Sequence, residues 1–251
     1  MSGHSKWATI KRKKGKADAE RGRIFTKLIR EITVAARNGG GDPNGNPRLR
    51  SAISAAKQSN MPADNVERAI KKGTGELPGV TYEESIYESY GPGGVAILVD
   101  VLTDNRNRTT SEIRHILSRN SGRLAEAGSV AWMFDQKGLI VVEKSSGASE
   151  DDLMMAALEA GADDVKDSGD SWEVLTPPAK CESVRAAIAN AGVAVASAET
   201  ARVPQNRVAL DRRETLQAMR LLDLIEEHDD VQKVSSNLEI PDEVLDELEA
   251  Q

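Results

Sequence analysis

Cysteine, aromatic side chains and long apolar runs are what this chain of 251 residues has least of. Its one cysteine, Cys181, cannot pair within the chain and supplies no metal-ligand spacing, which suits a reducing compartment. Apolar residues make up 39% of the chain, enough for real cores. No run approaches the ~18–20 uninterrupted apolar residues that a bilayer-spanning helix requires. The leading segment, Met1 to Lys16, is basic without the apolar centre of a secretory signal. Its lysines, with Asp18 and Glu20 close behind, also fit a mitochondrial presequence poorly. These absences predict a cytoplasmic chain, long enough for one to three domains of roughly 100–150 residues each.

Catalytic constellations are missing too. His4, His115 and His228 are far apart in sequence, and neither HExxH nor CxxC spacing occurs. The glycine runs Gly39–Gly41 and Gly91–Gly94 lack the lysine and hydroxyl that complete a phosphate-binding P-loop. The paired acids Asp151-Asp152, Asp163-Asp164, Glu226-Glu227 and Asp229-Asp230 sit beside helix ends or turns and read as a solvated acidic face. The sequence therefore predicts no enzyme, and no metal, cofactor or small-molecule substrate.

What is present is a division of charge. Overall the chain carries −7. Residues 1–75 hold 17 Lys and Arg against 6 Asp and Glu, whereas residues 76–251 hold 16 against 34. A basic leading part on an acidic body points to a polyanion partner for the basic part.

Residues 1–22 show no helical apolar stripe and read as an arm, flexible when free, because they bury too little apolar surface to offset ordering entropy. From Arg23 to Arg37, Ile24, Phe25, Leu28, Ile29, Ile32 and Ala36 recur at helical spacing. A second helix follows Asn46-Pro47, a cap and a first-turn proline, and a third runs from Pro62 to Gly73. Three short helices with single stripes should pack as one bundle, ending in a linker over 73–80.

The texture then turns α+β. Strands are expected at Ser85–Tyr90, Val95–Leu102 and Val130–Phe134, a helix at Thr109–Asn120, and a turn at Gln136-Lys137-Gly138. Residues 139–203 repeat strand–helix–strand–strand–helix–strand, the ferredoxin-like order, closing with a strand at Val193–Ser197. A helix over Arg212–His228 and a strand over Val231–Ser235 precede an acidic tail, Pro241–Gln251. The simplest division is 1–75 as basic arm and helical domain, 80–136 plus 205–238 as a discontinuous ferredoxin-like domain, and 137–204 as a second ferredoxin-like domain inserted in it.

The candidate nucleic-acid contacts follow from charge. Lys6, Lys11, Arg12, Lys13, Lys14, Lys16 and Arg21 in the arm, with Arg23, Lys27 and Arg30 on the first helix, would neutralise phosphates and release counterions. Such clustering carries no sequence readout. Trp7 lies among these cations, where it could stack on a base or fold back onto the bundle. Arg106 and Arg108, at a turn into a helix, form a second polar-cationic cluster that could hold phosphate; their neighbours Asp104 and Asn105 are also ordinary turn and capping residues. Tyr87, Tyr90, Trp132, Phe134 and Trp172 are isolated and read as core or interface residues rather than base-stacking ones.

Several motifs resemble a known family. Gly3-His4-Ser5-Lys6-Trp7, the stretch Lys11 to Lys16 and Arg23-Ile24-Phe25-Thr26-Lys27 look like the N-terminal signature of the YebC family. So do Gly91-Pro92-Gly93-Gly94, Thr103-Asp104-Asn105-Arg106-Asn107-Arg108-Thr109, Gly128-Ser129-Val130 and the late Ile240-Pro241. The resemblance implies a helical domain and two ferredoxin-like domains, one inserted in the other. It also implies a cytoplasmic DNA-binding transcriptional regulator, or, from a related branch that includes the mitochondrial translational activator of cytochrome c oxidase subunit one, a ribosome-associated translation factor that relieves stalling. A protein-interaction scaffold using the acidic body is a third class, and the sequence leaves oligomeric state open.

Overall fold

Three helices open the part of the chain that the computed structural model describes, which is residues 17–146, 149–241 and 243–245. They are α1 (Ala17–Gly39), α2 (Pro47–Gln58) and α3 (Ala63–Thr74). Helix α1 starts six residues before the apolar stripe, inside the segment read as an arm. Ala17 and Ala19 favour this, since alanine is the best helix former. Ile32, Ala35 and Ala36 of α1 meet Leu49, Ala52 and Ala56 of α2 and Ala69 of α3 in a small core. Asn46 joins the helices by accepting from the Leu49 amide at 3.1 Å while donating to the Ala35 and Gly40 carbonyls at 2.8 and 2.9 Å. Helix α3 crosses α1 so closely that a Cβ on Gly73 would lie 2.4 Å from the Thr33 carbonyl oxygen, so only glycine fits there.

The first sheet uses β1 (Glu83–Tyr90), β2 (Ala96–Thr103), β3 (Arg123–Leu124) and a late strand, β9 (Val231–Ser236), in the antiparallel order β3-β1-β2-β9. Helices α4 (Arg106–Arg119) and α7 (Arg212–Glu226) cover one face. Alternation along β2 sends Ile97, Val99 and Val101 into a core with Ile113, Leu117 and Leu221, while Ala96 and Leu98 face Val130 and Phe134 on the other side. Val244 and Leu245, within the segment read as an acidic tail, are buried in the same helix-side core. A two-residue parallel pair, β8 (Val208–Ala209) with β10 (Leu238–Glu239), lies beside this unit in sequence.

The second sheet is built from β4 (Phe134–Glu143), β5 (Asp164–Asp167), β6 (Ser171–Thr176) and β7 (Ser197–Pro204), with α5 (Glu150–Glu159) and α6 (Cys181–Asn190) on one face. Its order, β5-β6-β4-β7, is that of a ferredoxin-like sheet, and all four strands fall between β3 and β9 in the chain. The architecture is thus α+β: an N-terminal three-helix domain followed by two antiparallel α+β units, the second of them, ferredoxin-like in strand order, lying in the chain between β3 and β9 of the first.

Three local readings change. The strand expected at Val130–Phe134 does not begin until Phe134, the first residue of β4; Ala131–Met133 form one 3₁₀ turn. The Glu88 carboxylate takes the amide hydrogens of Gly128, Val130 and Ala131, donors that a ladder would have needed. Gln136-Lys137-Gly138 is not a turn but runs through β4. Gly138 is there for packing, since a Cβ on it would meet Thr176 Oγ1 at 2.2 Å and Cys181 Cβ at 2.6 Å. The last strand of the insert lies at 197–204 rather than 193–197. Val193 instead caps the insert's core as part of the connection, and the polar-looking Ser197–Pro204 forms an edge strand along β4.

Candidate nucleic-acid interface

Lys6, Trp7, Lys11, Arg12, Lys13, Lys14 and Lys16 lie outside the described residues. Arg21 stands exposed in the opening turns of α1, and Arg106 is exposed at the first position of α4. Arg50, Lys57, Arg68 and Lys72 add exposed cations on α2 and α3.

The remaining predicted contacts turn toward the body of the molecule. Spaced i, i+4 and i+7, Arg23, Lys27 and Arg30 share one face of α1, and that face meets the end of α7 and the turn into β9. Arg23 lies 3.8 Å from the Glu227 carboxylate, and the Lys27 ammonium donates to the Glu226 carbonyl at 2.6 Å. A cation is favoured there because the C-terminus of a helix carries partial negative charge. Arg30 goes deeper. Its guanidinium donates to the Asp230 carboxylate and the Asp229 carbonyl, both at 2.6 Å, and sits 5.4 Å over the Tyr82 ring.

Asp230 is where these contacts converge. Its side chain is 2% exposed, yet it receives Arg30 at 2.6 Å, Arg108 at 2.7 Å, and the hydroxyls of Thr109 and Thr103 at 2.6 and 3.2 Å. Burial alone would favour the neutral acid. The Thr109 hydroxyl and the two guanidinium groups outweigh it and hold the carboxyl at about 2. Arg108 also bonds Asp104 at 2.9 Å, and its pKa is raised chiefly by Asp230. Arg30 and Arg108, read from the sequence as phosphate contacts, thus have their guanidinium groups engaged by a buried carboxylate that links the helical domain to the first sheet. Asp230, read as part of a solvated acidic face, is the most enclosed acid of that set.

Next to this cluster, the His228 Nε2 and a Glu112 oxygen are 2.9 Å apart, with Asp230 close enough to complete a potential metal triad. The donor set does not suit a cation. His228 Nδ1 accepts the Asp230 amide at 3.1 Å, which leaves the proton on Nε2, facing Glu112. Both Asp230 oxygens already face guanidinium groups, which would repel a dication. The histidine therefore works as a latch between α4 and the turn before β9.

Against this geometry, sequence comparison is decisive. The model for the TACO1/YebC protein N-terminal domain matches residues 5–76, and that for the TACO1/YebC second and third domain matches residues 82–238. The chain belongs to the TACO1/YebC family. A probable transcriptional regulatory protein from Pelotomaculum thermopropionicum is 60% identical over 243 residues, covering 96% of this chain and all of that one. Another so named, from Syntrophobacter fumaroxidans, is 59% identical over 249 residues, covering 99% of this chain and all of that one. Among solved structures, the conserved hypothetical protein Aq1575 of Aquifex aeolicus superposes with a TM-score of 0.82 at 47% identity, covering 90% of this chain and 93% of that one.

Two of the TACO1/YebC-like motifs now have physical roles. In Thr103–Thr109, both threonines and Arg108 hold Asp230, and the Asn105 side chain caps α4 by accepting the Arg108 amide. In Gly128-Ser129-Val130, the backbone wraps the buried Glu88 carboxylate, whose pKa is lowered although burial acts to raise it. Sequence reasoning missed both acids, because each draws on partners far away in the chain. It also read Trp132 as a core or interface residue. Trp132 is 64% exposed, while Tyr87, Phe134 and Trp172 are buried. Among the described residues, no helix is long and apolar enough to cross a membrane.

Proposed function

We propose that this chain is a non-enzymatic, cytoplasmic, nucleic-acid-binding regulator of gene expression that acts on DNA as a transcriptional regulator, the role named for its relatives. The observation that carries the reading is the charge division, with ten Lys and Arg against two acids in residues 1–30 on a body of opposite sign. Lys6, Lys11, Arg12, Lys13, Lys14, Lys16 and Arg21 engage phosphates, Trp7 stacks among them, and Arg106 extends the cationic surface. Arg23, Lys27, Arg30 and Arg108 act differently: their contacts fix α1 on the body and so aim the arm. The acidic body is repelled by the same polyanion, which orients the molecule with its basic end inward.

Binding of this kind is led by the backbone, without a helix presented for major-groove readout. Removing residues 1–22 should abolish affinity for a 20-bp duplex at moderate salt while leaving the melting of the body intact. An undiminished affinity would overturn the assignment. Co-sedimentation with ribosomes that depends on residues 1–22, in a protein with no duplex affinity, would move the target from DNA to RNA.

A further inference from the structure

The molecule exposes one large aromatic ring where burial would be expected to favour folding. Trp132 is 64% exposed, the most of any large apolar side chain among the described residues. It is nonetheless fixed. Its indole N–H donates to the Ser129 carbonyl at 3.1 Å, and the Tyr90 hydroxyl donates to the same oxygen at 3.3 Å. Ser129 is itself held, because the amides on either side of it, Gly128 and Val130, both bond the Glu88 carboxylate at 2.6 Å. On the neighbouring edge strand, Arg123 pairs with Tyr90 in register and places its guanidinium 4.8 Å from the Tyr90 ring centre. A largely exposed ring fixed by its polar edge, with a tyrosine bonded to the same carbonyl and a cation over that tyrosine, matches what a stacked base and its phosphate require.

We propose that Trp132, with Tyr90 and Arg123 beside it, is a stacking platform for one unpaired nucleobase of a single-stranded or looped nucleic acid. The proposal rests on the nucleic-acid reading above and adds a second contact, distinct from the phosphate-binding arm, at a point where Arg123 offsets locally the repulsion of the otherwise acidic body. Trp132 takes the base, and Arg123 neutralises the adjoining phosphate. Glu88 is a positioning residue: it shapes the loop that carries the ring. A base inside a duplex offers no free face to the platform, so the contact selects for unpaired nucleotides without reading their sequence.

The test uses the full chain and three fluorescent probes: a 12-nucleotide thymidine strand, the same strand without bases, and a 12-bp duplex. Trp132→Ala should weaken the thymidine strand about tenfold, as loss of one stacked base does. It should leave the abasic strand and the duplex unchanged. Trp132→Phe should retain most of the affinity, which also guards against a folding defect in the alanine variant. An equal loss on the abasic strand, or no loss on the thymidine strand, overturns the platform; the latter is the result if Trp132 instead docks a protein. If the wild-type chain binds none of the three probes even in dilute buffer, the nucleic-acid reading itself fails and the platform with it. Binding that responds to Lys11→Ala/Arg12→Ala/Lys13→Ala but not to Trp132→Ala would sink the platform alone.

Discussion

Two buried carboxylates, Asp230 and Glu88, are kept charged by opposite means. Asp230 is surrounded by side chains, two guanidinium groups and two hydroxyls drawn from α1, β2 and α4. Glu88 is surrounded by backbone, three amides from a single loop. Both pKa values fall, so in each case the partners outweigh desolvation. The difference lies in what each acid organises. Side-chain partners from separate elements let Asp230 join domains, whereas amide partners from one loop let Glu88 give that loop its shape. The cations on Asp230 are therefore structural.

Removing Asp230 should have the largest effect. Asp230→Ala leaves Arg30 and Arg108 without their shared partner and should cost about 3–5 kcal/mol in denaturant unfolding. It should also loosen the helical domain, read as faster proteolysis between residues 75 and 82. Glu88→Gln should cost less, about 1–3 kcal/mol. Its signature should be local, a change in Trp132 fluorescence with the helical domain still docked. If the two variants gave the same proteolysis pattern, the contrast between the acids would fail.

Acid titration sharpens the comparison. The folded-state pKa of Asp230 lies below that of the unfolded chain, so its contribution is full above pH ~4 and is lost as pH falls toward 2. That loss should be on the order of 2 kcal/mol. It should be much reduced in Asp230→Asn, which does not titrate. The smallest effect belongs to the exposed pair of Arg185 with Glu182 on α6, at 2.6 Å. Arg185→Ala should change stability by no more than about 0.5 kcal/mol.

These contrasts also mark how far the sequence could be read. The helical bundle and the inserted βαββαβ unit were legible because local periodicity and turn chemistry agree there, as at Asn46-Pro47 and at Ser149, which caps α5. Segments 130–134 and 193–197 misled because apolar composition does not reveal where backbone amides go. Half of the Asp230 cluster was visible as the polar motif Thr103–Thr109. The other half was hidden, since Asp230 sits in an acidic run 200 residues from Arg30 and 122 from Arg108. Exposure of Trp132 had no signal at all in a sequence where aromatics are 3% and scattered.

The central claim is that the arm, and not the cations gathered on Asp230, meets phosphate. Its most direct test is the dependence of duplex affinity on salt concentration in Lys11→Ala/Arg12→Ala/Lys13→Ala, with Arg108→Gln alongside. The arm variant should flatten the log–log slope by ~0.9 for each lost phosphate contact, while Arg108→Gln leaves the slope as it was. An unchanged slope in the arm variant, or a flattened one in Arg108→Gln, would contradict the account.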